Sequence, residues 1–297
     1  MNDMIKVENL YHSYSHNEDY SVRDVSFTVA EGEIFGFLGP SGAGKSTTQN
    51  IITGLLPMQK GKVEVAGRDM RKPSLKLYNE IGVSFEQPNL YAKMTAAENL
   101  AFFASLFDVH CLEPMDLIRM VGLESSARKR CGEFSKGMRQ RINFARSMIN
   151  NPRLWFLDEP TSGLDPAIAS DIKDIIKKRN GGGVTVFLTT HSMSIADDLC
   201  DRVAFIVDGE IKLIDSPKEL KLRFGKSFVD VEYIKDGEIN RQSLSTEDEG
   251  DKQTLKDVID RYQIRRMHTE EATLEQIFIK VTGKELIGDE TDAEHTA

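Results

Sequence analysis

The feature that most constrains this chain is Gly39-Pro40-Ser41-Gly42-Ala43-Gly44-Lys45-Ser46, set directly after the apolar run Ile34–Leu38. It fits G-x-x-x-x-G-K-[ST] and stands between a strand pattern and a helix pattern, where the mechanism needs it. The glycines let backbone N–H groups turn toward one point, and the start of the helix adds the positive end of its dipole. In such a cradle Lys45 neutralises the β- and γ-phosphates of a nucleotide, and the Ser46 hydroxyl holds Mg2+. A glycine-rich turn can match by accident, but average residue usage gives about one such match per hundred chains of this length. The strand-to-helix setting makes accident rarer still.

The rest of the chain reads as alternating strands and helices. Val25–Val29 alternates in polarity and Glu31-Gly32 supplies a turn, which predicts short antiparallel strands over the first thirty residues. A helix is expected from about Lys45 to Thr53, ending at Gly54. Thr95-Ala-Ala-Glu98 is a capping box, with Leu100, Phe103 and Phe107 behind it at helical spacing. Residues 88–150 therefore read as a mostly helical insertion between two strands of the main sheet. Leu154–Leu157 and Val184–Thr190 read as buried strands, and Val203–Val207, Asp208-Gly209 and Glu210–Ile214 as a hairpin. This order predicts an α/β domain with a largely parallel sheet.

Near Lys226 the pattern restarts. Phe228–Ile234 alternates, an acidic loop surrounds Glu247–Asp251, and helical stretches follow near Leu255–Tyr262 and Leu274–Val281. The expected division is residues 1–225 for the main domain, 226–283 for a small α/β appendage, and 284–297 for an acidic tail that reads as disordered.

Leu154-Trp-Phe-Leu157-Asp158-Glu159 brings two carboxylates to the end of an apolar strand. Open parallel sheets bind ligands at the carboxyl ends of their strands, so this end can face the cradle. Asp158 is expected to reach Mg2+ through water, and Glu159 to position or deprotonate the attacking water. His191 closes another apolar strand and can donate to a γ-phosphate as charge builds on it. Gln87, after the strand-like Ile81–Phe85, can touch both metal and water. Singly these signals are weak, because a lone His is more often a structural hydrogen-bonder and a lone Gln a surface residue. Three strands ending in suitable groups around one phosphate loop are harder to dismiss.

Composition narrows the class. A formal net charge of −9 over 297 residues argues against a sequence-independent nucleic-acid binder, which needs a basic stripe. No window approaches the eighteen or more apolar residues that cross a bilayer, and Met1–Leu10 lacks a signal-peptide layout. The expected place is the cytosol, or the cytoplasmic side of a membrane if a partner holds it there. Cys111, Cys131 and Cys200 are widely spaced with no Cys-x-x-Cys, and read as reduced structural thiols rather than a zinc or disulfide set.

With these residues in order, the sequence resembles the ABC ATPase family over residues 4 to about 222. Phe134-Ser-Lys-Gly-Met-Arg-Gln140 resembles its signature motif, Ser162-Gly-Leu-Asp165 its D-loop, Gln87 its Q-loop, His191 its switch histidine and Tyr14 the aromatic that stacks on adenine. The resemblance implies a P-loop NTPase fold with a mostly parallel core sheet, an antiparallel β subdomain, a helical subdomain and the small C-terminal appendage. It implies ATP and Mg2+ as cofactors, with Gly39 through Thr47 on the phosphates. It implies a head-to-tail pair, either a homodimer or a paralogous second cassette. Ser135, Gly137 and Asp165 of one subunit would then serve the nucleotide held by the other. Polytopic membrane subunits are the further partners implied.

The signature departs from Leu-Ser-Gly-Gly-Gln, with Lys136 for the first Gly and Met138 for the Gln. This variant, and Ala272–Gly283 at the C-terminus, resemble the branch that exports drugs, antibiotics and cell-surface polymers. Two rivals stand beside transport: an ABC-type ATPase coupled to none, and a non-hydrolysing ATP-binding regulator. The chain has no long coiled coil and no second cassette, and it retains both Glu159 and His191.

Overall fold

The computed structural model describes residues 2–15, 19–224, 228–235, 237–246, 248–270 and 272–284. Its chain contacts divide into two units, Met1–Ile214 and Asp215–Glu285. The division falls earlier than the break near Lys226 that the sequence pattern suggests.

The first unit is organised by three strands that are buried along their whole length: β3 (Ile34–Leu38), β7 (Leu154–Asp158) and β8 (Thr185–Thr190). Runs this apolar suit a parallel sheet covered on both faces. Together with β6 (Ile81–Ser84), β9 (Arg202–Val207) and β10 (Glu210–Asp215) they form a six-stranded sheet in the order β10-β9-β3-β8-β7-β6. Parallel registers such as Ile34↔Val186, Phe35↔Arg202, Leu154↔Thr185 and Ile81↔Leu154 put the carboxyl ends of these strands along one edge. The hairpin joining β9 to β10 turns at Asp208 and Gly209, both at positive φ (52° and 76°), as a type I′ turn requires.

A second sheet, ordered β2-β1-β4-β5, is built from β1 (Asp3–His12), β2 (Val22–Ala30), β4 (Lys60–Val65) and β5 (Arg68–Asp69). It is antiparallel, as expected for the N-terminal segment. The alternation in β2 buries Val25, Phe27 and Val29. Phe27 lies against Phe35, Phe37 and Phe187 of the core sheet, with ring centroids 5.3, 5.4 and 5.9 Å away. The helices α1 (Lys45–Ile52), α2 (Leu75–Tyr78), α6 (Pro166–Gly181) and α7 (Met193–Leu199) complete the α/β layers.

Between the neighbouring strands β6 and β7 run α3 (Ala96–Ala104), α4 (Pro114–Met120) and α5 (Lys136–Arg146). The Thr95–Glu98 capping box forms in full, each residue's side chain accepting from the other's backbone N–H. α3 ends at Ala104 with Ser105 as its cap, so Phe107 lies beyond the helix that its spacing suggested. Trp155 anchors the insertion to the sheet, packing on Phe144 at 5.0 Å and donating its indole N–H to Ser147 Oγ at 2.8 Å.

The second unit holds α8 (Pro217–Phe224), α9 (Glu249–Arg261), α10 (Leu274–Thr282) and an antiparallel sheet ordered β12-β11-β13. The strands are β11 (Phe228–Lys235), β12 (Glu238–Ser245) and β13 (Gln263–Glu270). Val231, Tyr233, Leu244 and Val258 form its core, and α10 packs on α8. Two expectations are corrected here. The acidic stretch is not a loop but the cap and first turn of α9, with Asp248 accepting from Asp251 N–H at 3.0 Å and negative charge placed at the positive helix end. β12 and β13 stand where no strand was expected. The tail, apart from Lys284, lies outside the described residues.

Candidate functional site

The cradle forms where β3 runs into α1. A Cβ on Gly39 would come within 2.2 Å of the Ile206 carbonyl oxygen, so the loop can leave the strand only at a glycine. Gly44 has φ 102°, and a Cβ there would meet the Ser21 carbonyl at 2.5 Å. No side chain caps α1, which leaves the N–H groups of its first turn for an anion. Lys45 is only 9% exposed, and its ammonium donates to the carbonyls of Gly39 (2.8 Å) and Pro40 (3.0 Å). Burial pushes its pKa down, against the opposing charges of Glu159, Asp158 and Glu86. The lysine is thus folded back on its own loop, with carboxylates around it.

β7 delivers the two carboxylates. Asp158, its last residue, is buried and accepts from the Thr189 hydroxyl. Burial raises its pKa, so a cation beside it would be strongly favoured. Glu159 takes φ 46°, a left-handed conformation that costs a residue with a Cβ about 1–3 kcal/mol. The end of β8 holds it there. Its N–H donates to the Thr189 carbonyl at 3.0 Å. Its carboxylate accepts from the Thr190 hydroxyl (2.8 Å), the His191 N–H (2.8 Å) and His191 Nδ1 (2.7 Å).

Around this centre one cleft is lined by Tyr14, the loop residues Ser41, Gly42 and Gly44 to Thr47, Glu86, Asp158, Glu159, Ser162 and His191. Tyr14 is 61% exposed, its hydroxyl lies 3.1 Å from Thr47 Oγ1, and its ring meets His12 edge-on with centroids 4.9 Å apart. Gln87 and its neighbour Glu86 are both exposed, but only Glu86 lines the cleft. Sequence reasoning passed over Glu86, whose signal was its place after an apolar strand. Ser135, Gly137 and Asp165 also lie outside the lining. Ser135 caps α5 and Asp165 caps α6, accepting from Met138 N–H (3.2 Å) and Ile168 N–H (3.1 Å). These two motifs lie close together: a Cβ on Gly137 would stand 3.6 Å from Leu164 Cδ2, and one on Gly163 would stand 3.4 Å from Lys136 Cε.

The donors fit Mg2+. They are the Ser46 hydroxyl and the Asp158 carboxylate, hard oxygens that line one cleft. That suits a metal held by few protein groups and completed by phosphate oxygens and water.

The ABC transporter family profile matches residues 22–162, and an AAA domain profile matches residues 130–197. A fluoroquinolones export ATP-binding protein of Mycobacterium tuberculosis is 47% identical over 285 residues, covering 96% of this chain and 95% of that protein. A linearmycin resistance ATP-binding protein of Bacillus subtilis is 36% identical over 226 residues, 75% of this chain and 72% of the relative. Among solved structures, an ATP-binding cassette captured as a dimer in a post-hydrolysis state with ADP and Pi is 29% identical. It superposes with a TM-score of 0.66 and covers 72% of this chain and 98% of that one.

Proposed function

The chain belongs to the ABC transporter ATP-binding family and is an ABC ATPase; from that premise we propose that it powers export of a solute through separate membrane subunits, as one of two cassettes that close on ATP. The observation that carries the reading is the single cleft in which Lys45, Asp158, Glu159 and His191 meet. Among the described residues no helix is long and apolar enough to cross a membrane, so the work of hydrolysis falls on an attached partner. Export is supported by the relative named for fluoroquinolone export, which aligns over nearly its whole length, and by the Ser135-Lys136-Gly137-Met138 signature. In this reading the chain works at the cytoplasmic face of the membrane.

In this reading Tyr14 stacks on adenine and the loop from Gly39 to Thr47 cradles the phosphates. Lys45 swings from the Gly39 and Pro40 carbonyls to the β- and γ-phosphates, exchanging neutral acceptors for charged ones. Ser46 and Asp158 hold Mg2+, which when bound neutralises phosphate charge as a Lewis acid. Glu159 accepts the proton of the attacking water, and His191 stands at the γ-phosphate. Ser135 and Gly137 offer the start of α5 to the nucleotide of the second cassette, with Asp165 beside them.

An apolar groove lined by Leu55, Tyr78, Phe85, Phe103 and Phe107 offers the membrane subunit a seat, with Tyr91 half-exposed and edge-on to Phe102 at 5.1 Å. The test is purification from detergent-solubilised membranes. Recovery of a polytopic protein whose solute raises ATP turnover supports export. A fully active ATPase with no membrane protein attached would instead favour an engine uncoupled from transport.

A further inference from the structure

β6 ends at Ser84, and the backbone that follows is pinned on both sides of Glu86. The Phe85 carbonyl accepts from Asn143 Nδ2 at 2.8 Å, and the Asn89 carbonyl accepts from the Arg146 guanidinium. Arg146 in turn donates to Asn143 Oδ1 at 2.7 Å and lies 4.4 Å from the Phe103 ring centroid. Asn143 is fully buried and Arg146 is 7% exposed, so α5 holds this turn through a desolvated network. Both Glu86 and Gln87 are solvent-exposed, and of the two it is Glu86 that lines the cleft with Lys45, Ser46 and Asp158.

The charge of Glu86 is felt there. Burial lowers the Lys45 pKa, and Glu86 is one of three carboxylates that oppose it. At Asp158 burial is the largest influence, and Glu86 raises the pKa more than the adjoining Glu159 does.

We propose that Glu86, not Gln87, is the group that the end of β6 presents to the metal and phosphate end of the nucleotide, and that its carboxylate makes nucleotide affinity depend on the divalent cation more steeply than an amide would. The inference rests on the nucleotide-site reading above. A carboxylate facing phosphates repels them when no cation lies between and is attracted once one does; a glutamine is nearly indifferent to the change. Removing the charge should therefore move the two affinities in opposite directions, which a loss of packing would not do.

The experiment is calorimetric titration of the full chain with β,γ-imido-ATP, once in EDTA and once in MgCl2. Wild type is compared with Glu86→Gln, Glu86→Asp and Gln87→Ala. Glu86→Gln should bind the metal-free analogue tighter by roughly threefold to tenfold, the scale of one screened charge a few ångströms away. It should bind the Mg2+ complex more weakly, while Glu86→Asp keeps the wild-type order. An unchanged gain from Mg2+ in Glu86→Gln, or a gain that shrinks only in Gln87→Ala, overturns the proposal. Both affinities falling together in Glu86→Gln would show a structural role and overturn it too. Wild type that binds the analogue in neither buffer would sink the nucleotide-site reading itself, and this inference with it.

Discussion

Glu159 sits in a left-handed backbone with its carboxylate engaged by Thr190 and His191. The resting state therefore holds its base in place through three donors, and Oε2, with a single donor, keeps room to accept from a water. Glu159→Gln retains size and much of the hydrogen bonding but cannot accept the proton, so turnover should fall by about 10²-fold or more with MgATP binding retained. Because ATP then persists, this variant should elute as a dimer in ATP on gel filtration; a monomer carrying ATP would contradict the two-cassette arrangement. Lys45→Ala removes the buried ammonium of the cleft wall, and both nucleotide affinity and hydrolysis should be lost. Steady ATPase activity in that variant, with its circular dichroism unchanged, would remove Lys45 from the site.

Elements carry the next level of consequence. The segment 88–94 bridges the cleft and the helical insertion, and Tyr91 is tied down by Asn99 Oδ1 accepting its N–H at 2.8 Å while its ring stays 48% exposed. A charge placed there should leave ATP binding alone yet bury unpaired against an apolar partner. Tyr91→Glu is thus expected to lose co-purification with the membrane subunit, read by pull-down beside nucleotide binding. Loss of nucleotide binding as well would make Tyr91 a core residue. The strands around the cleft were legible because β3, β7 and β8 each carry an apolar run, and Asp158 and His191 end or follow such runs. β12 and β13 were not legible: Asn240-Arg241-Gln242-Ser243 and Arg265-Arg266 lie on edge strands with much of their surface exposed, where no apolar alternation is needed. The choice between Glu86 and Gln87 was hidden too, since which of two successive exposed residues lines the cleft depends on contacts from α5, far along the chain. Ser135, Gly137 and Asp165 were legible as motifs, yet no contact within one chain reveals their use.

At the scale of the molecule, the division at Asp215 sets how the chain can be cut. α8 belongs with α10: the two pack together, Leu220 is fully buried, and Lys280 Nζ donates to the Phe224 carbonyl at 2.9 Å. Ending the chain at Asp215 should preserve nucleotide binding, since every cleft residue precedes it. Ending it at residue 225 strips α10 from α8 and exposes Leu220, a loss of about 1.5–3 kcal/mol of burial, so that version should be the less soluble. Binding by isothermal titration and recovery after centrifugation check the two outcomes. Nucleotide affinity lost in a folded chain ending at Asp215 would give the second unit a part in the site.

Lys136 and Gly163 lie side by side, near enough that a Cβ added to Gly163 would stand 3.4 Å from Lys136 Cε. Ser162 belongs to a subunit's own cleft, and its N–H is bound to the Glu159 carbonyl at 3.1 Å, while Lys136 begins the helix that meets the neighbour's nucleotide in the proposed pair. In the proposed pair, a shift of that loop as phosphate is made or lost would pass through these neighbouring residues to the grip on the other ATP. A pair built this way would count its turnovers jointly. Each half would feel when its twin has fired, and the interval between strokes would belong to the assembly, with neither cleft keeping its own clock.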